Sequence, residues 1–461
     1  MSCISILLRY IRAGSLSSSQ AERTFTVDKT LDVSLHALVD RLLPICSHYS
    51  ITSRFVEERN KYVHGVVNQA LSSAMRGLLR EYWIIVAQLE HQYRTNQLTL
   101  QKLWFYVQPC KTTLEILSRI AVSITKGSCR GGKTLTNLHN LTSGYIGDSR
   151  CQELCLSLTQ AACRPYFDML EKWIYSGVVS DPYAEFMVKE HEMFQKDRLH
   201  EEYNDSYWER RYTVMQDNTP SFLEYLAEKI LNTGKYLNVI RECGREVNYP
   251  KAKAVQYSVQ ERSYVEQIEK AHVYASKQLL ELMIKDQDLF GYLHSIKHYF
   301  LLDQGDLLVH FMDMAQDELY KPMSEILSQR LQSLLELAIR TSLADHDPYK
   351  DNVEPQLVPF DLVTQLLYIV AIQPEGVGPG VAPPPPILRP ASEMSLSGLE
   401  AFCLDYRVKW PLSLVISRKC LFKYQMLFRH LFYCKHVERQ LGVSWRLYKG
   451  TKDSLLHSHS W

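Results

Sequence analysis

The stretch GVVNQALSSAMRGLLREYWIIVAQLEHQY, Gly65 to Tyr93, decides the fold class. Its apolar positions Val67, Leu71, Met75, Leu78, Tyr82, Ile85 and Leu89 recur at steps of four and three, which draws one stripe along a helix. The pattern repeats from Val265 through Ile268, His272, Ala275, Leu279, Leu282, Asp286, Leu289, Leu293 and Ile296 to Phe300, and predicts long helices lying side by side. Further helices are expected over Leu100–Ile124, with Pro109 as a kink, and over Arg150–Tyr175, Pro220–Glu242 and Arg418–Leu441. No run of short alternating strands bounded by hairpin turns is visible, so the expected class is all-α.

Composition sets wider limits. The 461 residues suffice for two or three domains, and 46% apolar with 22% charged residues is ordinary for a globular chain. Lys plus Arg number 52 against 51 Asp plus Glu, without a basic stripe, which argues against a nucleic-acid partner. Eleven scattered cysteines read as reduced thiols of a cytosolic protein. No apolar run approaches the roughly 18 residues of a membrane helix, so no membrane insertion is expected. One segment breaks the helical pattern. Gln373–Pro390 holds seven of the eighteen prolines and three glycines, and reads as a disordered insertion.

KGSCRGGKTLT (Lys126–Thr136) contains a literal phosphate-loop pattern in Gly127, Gly132, Lys133 and Thr134. That chemistry needs a strand leading into the loop and a helix leading out, because the helix N-terminus is part of the anion site. Leu114, Leu117, Ala121 and Ile124 lie instead on a helical stripe, and Ser143–Gly144 arrive soon enough to leave little room for the following helix. Leu307–Asp313, the nearest strand-like candidate for a metal-binding acid, also suits a helix through Leu307, Leu308, Phe311, Met312 and Ala315. The match is expected to be a decoy, with no nucleotide cofactor.

His430, Cys434 and His436 invite a zinc reading, but on a helix His436 points away from Cys434, and zinc needs converging ligands. The favoured alternative is a buried stripe of Cys420, Tyr424, Leu427, Leu431, Cys434 and Leu441, with Arg429 and His436 facing outward. His294 and His298, one turn apart, lack a third ligand at a telling spacing. No metal and no catalytic residue is assigned.

Longer stretches are more distinctive: DPYAEFMVKE (Asp181–Glu190), YNDSYWERRYTV (Tyr203–Val214), PSFLEYLAEKILNTGKYLNVIRECG (Pro220–Gly244), YFLLDQGDLLVHFMD (Tyr299–Asp313), LSGLEAFCLDYRVKWPLSLVIS (Leu396–Ser417) and YQMLFRHLFYCKHVERQL (Tyr424–Leu441). In this order they resemble the gamma-tubulin complex components, proteins with GRIP motifs. The resemblance implies an elongated stack of helical bundles in two GRIP-type domains: residues 9–262 for lateral assembly, with the opening segment missing, and 263–461 for gamma-tubulin binding, cut at Trp461. It implies a non-enzymatic scaffold for microtubule nucleation in the cytoplasm, at centrosomes and spindle poles, with gamma-tubulin, component 3 and other components as partners. It also likens the Gly131–Gly132 turn to an ordinary inter-helix loop that Lys133 turns into a motif by accident. On this basis Tyr183, Tyr207, Trp208, Arg210 and Arg211 are lateral-interface candidates, since aromatics and arginine are enriched at hot spots. Arg407, Lys409, Arg429, Lys435, His436 and Arg439 are candidates for docking acidic gamma-tubulin through complementary fields.

Overall fold

A computed structural model describes residues 11–13, 25–27, 33–191, 210–247, 249–250, 252–258, 263–363, 365–366 and 396–458. The Pro/Gly-rich stretch 373–390 and the candidates Tyr207 and Trp208 lie outside the described residues. Helices dominate what is described, and the all-α expectation holds. The chain divides into two compact units at Leu279/Leu280.

The first unit is built from α1 (Val33–Arg59), α2 (Val66–Arg94), α3 (Leu100–Lys126), α4 (Gly132–Gly144), α5 (Ser149–Ser176), α6 (Ala227–Glu242) and most of α7 (Ser263–Glu281). Helix α1 packs on α2 and α3, while α5 packs on α2, α4 and α6. The stripe of α2 faces the core, with Val67, Leu71 and Met75 fully buried and Leu78, Tyr82 and Ile85 at its edge. Helix α3 runs through Pro109, and Asp148 starts α5 by accepting the N–H groups of Arg150 and Cys151. Trp173 sits at the centre, with no exposed surface, and its indole N–H donates to Ile230 O at 2.8 Å. Burial of a side chain this size stabilises by roughly 2–3 kcal/mol, and the satisfied N–H removes the usual cost of sealing indole from water.

The second unit holds α8 (Leu289–Phe300), α9 (Gly305–Leu319), α10 (Ser328–Thr341), the single turn α11 (Gly398–Ala401) and α12 (Arg418–Ser458). Three short antiparallel ribbons complete the described chain: β1 (Ile11–Ala13) with β2 (Phe25–Val27), β3 (Val188–Glu190) with β4 (Tyr212–Val214), and β5 (Val353–Leu357) with β6 (Phe402–Tyr406). The second core is aromatic. Ring centroids of Phe311–Phe402, Phe402–Phe432 and Phe428–Phe432 lie 5.0, 5.1 and 5.4 Å apart.

Four local expectations need correction. The stripe from Val265 to Phe300 is not one helix: Leu282–Asp286 form a π turn, and Asp288 adopts a left-handed conformation while its carboxylate accepts Gly291 N–H to start α8. Asp286 and Leu293 are consequently exposed. The segment from Pro220 opens as a 3-10 turn, Ser221–Leu226, before α6. A helix, α4, does follow the glycine turn. Among the described side chains of α12 the buried ones are Leu421, Gln425, Phe428, Arg429 and Phe432, whereas Leu427, Cys434 and Leu441 are exposed. Apolar residues surround that helix on several sides, so two stripes were open to it, and contact with Phe402 and Phe300 selects the one through Phe428.

Candidate interaction surfaces and the glycine turn

The glycine turn is built by its neighbours. Helix α3 buries Leu114, Leu117, Ala121 and Ile124 and ends at Lys126, so a helix, not a strand, leads into it. Gly131 has φ +49°, and Gly132 lies so close to the 216–219 turn that a Cβ would fall 1.9 Å from Asn218 O. Packing against that turn is what requires the second glycine.

The polar groups that would cradle a phosphate are already engaged. Glu185, 3% exposed, accepts the N–H of Val66 at 2.7 Å and of Val67 at 3.2 Å, both at the start of α2, and of Gly131 at 3.2 Å. The protein's own carboxylate thus joins the α2 N-terminus to the glycine turn, where a helix end favours negative charge. Burial raises the pKa of Glu185, and the three N–H bonds oppose that rise. Thr134 is fully buried and donates to Asn68 Oδ1 at 3.1 Å. The Asn68 amide in turn donates to His64 O at 3.0 Å and Cys129 O at 3.1 Å. Lys133 points outward and pairs with Asp217 at 2.9 Å, both side chains more than half exposed. Gly127 closes α3, its N–H donating to Ser123 O.

Glu185 belongs to the stretch Asp181–Glu190, and the local fold explains the run. Asp181 accepts the N–H of Tyr183 at 3.2 Å and of Phe186 at 2.7 Å, and Asn218 Nδ2 donates to Ala184 O at 2.9 Å. The loop is thereby held with Glu185 turned inward and Tyr183 39% exposed. Of the lateral candidates that are described, Arg210 is exposed but Arg211 is not a surface residue. It is 8% exposed, ion-paired with Glu242, 3.4 Å from Glu190, and stacked on Tyr212 at 5.2 Å. Both residues precede β4, and the pairing of Arg211 with Glu242 and Glu190 holds its side chain inward while Arg210 stays in solvent.

The second set divides as well. Arg407 is exposed and pairs with Glu354 at 3.0 Å, and Lys409 is exposed two residues on. Lys435 pairs with Glu438 at 2.8 Å on the surface of α12. The outward orientation expected of Arg429 is wrong. It is 5% exposed, its Nη1 donating to Gln365 Oε1 at 2.6 Å and its Nη2 to Phe360 O at 2.6 Å and Glu400 O at 2.7 Å. Burial lowers its pKa. Arg439 bonds Asp313 on α9, and the half-buried His436 packs its ring 6.1 Å from Tyr320 on the same side. Arg407, Lys409 and Lys435 are the members left facing solvent.

His430 and Cys434 approach within 3.9 Å on the exposed side of α12. His294 and His298 pack edge to face at 4.4 Å, beside an Asp303 that pairs with Lys297. No group of three potential metal ligands occurs among the described residues, and none of their helices is long and apolar enough to cross a membrane. Glu185 and Asn68, which organise the turn, were not singled out in the sequence. The signal for Glu185 lay in an acid placed among apolar residues of a dense motif.

Two family models match in series: gamma tubulin complex component N-terminal over residues 3–286 and gamma tubulin complex component C-terminal over residues 289–461. The chain is 53% identical to gamma-tubulin complex component 2 of Mus musculus across 98% of its own length and 49% of the mouse protein. It is 39% identical to gamma-tubulin complex component 2 of Arabidopsis thaliana, covering 96% of this chain and 64% of the plant protein. Identity to spindle pole body component alp4 of Schizosaccharomyces pombe is 31%, over 92% of this chain and 64% of the yeast protein. The chain thus spans between about half and two thirds of these relatives.

Proposed function

The chain belongs to the gamma-tubulin complex component family, and from that premise we propose that it is a non-catalytic scaffold subunit of a gamma-tubulin complex. Its partners are gamma-tubulin, component 3 and other components, and its task is to template microtubule nucleation at centrosomes or spindle poles. The observation that carries this reading is the two family models arranged in series along the whole chain. The division of labour follows the same order, with residues 9–262 making side-by-side contacts and 263–461 holding gamma-tubulin.

A scaffold helps because each tubulin joining a small cluster loses freedom costing about 4–15 kcal/mol before contacts offset it. Homologous subunits packed side by side form a repeating heterologous contact, which generates a ring or helix and fixes the lateral spacing of what they carry. No bond is made or broken. At the glycine turn a non-catalytic reading is supported by Glu185, which takes the free N–H groups, and by the burial of Thr134.

For docking gamma-tubulin we retain Arg407, Lys409 and Lys435, and for lateral contact Tyr183 and Arg210. The test is co-purification of the full chain with gamma-tubulin and component 3, beside a variant with Arg407, Lys409 and Lys435 changed to Glu. The reading expects gamma-tubulin recovery that falls in the variant and with added salt, with helicity unchanged. Recovery of neither partner by the unaltered chain would overturn it.

A further inference from the structure

One cationic cluster beside the glycine turn is used by none of the contacts above. A 3-10 turn, Tyr62–His64, joins α1 to α2 and carries Lys61, Tyr62, Val63 and His64 past the last residue of α1, Arg59. Tyr62 and Val63 are 73% and 70% exposed, consecutive apolar side chains held in solvent. Arg59 is almost fully buried, stacks its guanidinium over Phe55 at 6.0 Å and donates to His64 Nδ1 at 2.9 Å. That bond needs a lone pair on Nδ1, so the imidazole is neutral there and supplies no counter-charge.

Arg130 completes the cluster from the other side. Asn68, which bonds both His64 O and Cys129 O, and Glu185, which bonds Val66, Val67 and Gly131, clamp the two turns together. Burial lowers the pKa of both Arg59 and His64; at Arg59 the Glu58 carboxylate opposes this and Arg130 adds to it, and at His64 Arg59 and Arg130 both add to it. The acid on this side is Glu58, which bonds Arg54 at 3.0 Å. Neither Lys61 nor Arg130 has an ion-pair partner among the described residues. Two exposed cations, Lys61 and Arg130, therefore flank an exposed Tyr-Val pair, while Glu58 offsets the charge of the buried Arg59.

We propose that Lys61, Tyr62, Val63 and Arg130, backed by the buried Arg59, form a docking point for an acidic segment of a partner protein that carries apolar side chains beside its carboxylates. Guanidinium groups take carboxylates in paired, directional bonds, and Tyr beside Arg is the residue mixture of interface hot spots. The clamps by Asn68 and Glu185 fix the platform in advance, which lowers the ordering cost on binding. A nucleic acid fits less well, since the patch is short and no basic stripe extends from it. The site stands independently of the proposed scaffold function.

The experiment is selection of a displayed library of random peptides against the intact chain, with counter-selection on a Lys61→Glu/Arg130→Glu variant and on Tyr62→Ala. Both changes lie on exposed residues, and unchanged helicity and melting confirm folding. The expected result is enrichment of Asp and Glu interleaved with aromatic or aliphatic residues. A selected peptide should bind at least about tenfold more weakly to the charge-reversed variant, and more weakly at higher salt. Enrichment without acidic bias overturns the proposal, as does acidic enrichment that survives both variants. Tighter, variant-sensitive binding of single-stranded RNA or phosphatidylserine vesicles than of any selected peptide also overturns it.

Discussion

Glu185 in the first unit and Arg429 in the second are buried charges of opposite sign, and both are held by polar groups instead of by a counter-ion. Glu185 accepts three backbone N–H groups at a helix start and a glycine turn. Arg429 donates to two backbone carbonyls and a glutamine. Each charge fastens segments distant in sequence: Glu185 lies 119 and 54 positions from its furthest and nearest partners, and Arg429 lies 69 and 29 from the carbonyls. The difference is in the support. The carboxylate sits where a helix end supplies positive partial charge, whereas the guanidinium has single carbonyls arranged around its fork. Buried charge costs stability in itself, but removing one side leaves polar groups stranded, which costs more.

The sharpest way to break this comparison is Glu185→Ala. It strands three N–H groups in two turns at once, and the expected loss is about 4 kcal/mol, read as a fall in the denaturant midpoint of the first unit. A loss under about 1 kcal/mol would mean that water replaces the carboxylate and that the clamp is incidental. Next comes Arg429→Lys, which keeps the charge and loses the fork. An ammonium cannot reach Gln365, Phe360 and Glu400 together, so about 2–3 kcal/mol should go from the second unit. Full stability in the lysine variant would show that charge, not geometry, holds these segments.

Arg211 and Arg210, neighbours just before β4, sharpen the point. Arg211→Ala removes the partner of Glu242 and Glu190 and should cost about 2 kcal/mol, while Arg210→Ala should stay within about 0.5 kcal/mol. Comparing the two melts checks this. Equal effects would contradict the assignment of one to the interior and the other to the surface.

Helices were legible because burial imposes a period that single residues cannot hide: Val67, Leu71, Met75, Leu114, Leu117, Ala121 and Ile124 all face the core as spaced. Break points were less legible. Asp288 ends a stripe by a local carboxylate-to-N–H bond that the apolar pattern does not register. The charged sites were read worst, for a common reason. Arg429, Arg211 and Glu185 look like surface residues by type, and only the approach of remote backbone reveals why they are inside. The glycine turn makes the same point from the other side: its motif was visible, but its meaning lay in Asn68, Glu185 and Asn218, which are far away in sequence.

A smaller expected effect is the pH dependence of Glu185. Burial raises its folded-state pKa above the ordinary glutamate range that it has when unfolded. Between those two values the folded chain keeps a proton that the unfolded chain has released. Stability contributed by this group therefore falls as pH rises through that window, and is level above it. Glu185→Gln should flatten this component of the stability–pH curve of the first unit. An unchanged slope would place the carboxylate in a wetter setting than its geometry shows.

The smallest effect should come from Lys133→Ala. Its ammonium pairs with Asp217, both side chains more than half exposed, so solvent and salt screen the pair to within about 0.5 kcal/mol. A phosphate-loop lysine would behave differently, because it meets the outer phosphates of a nucleotide whose inner ones lie on free backbone N–H groups. Here Gly131 N–H is bonded to Glu185, and Thr134, the residue that would reach a metal ion, is fully buried against Asn68. Titrating the intact chain and Lys133→Ala with ATP and GTP should give no saturable micromolar binding in either and near-identical melts. Saturable binding lost in the variant would mean that the Glu185 clamp opens to admit phosphate, and the contrast between the two buried charges would then be one between a movable lock and a fixed one.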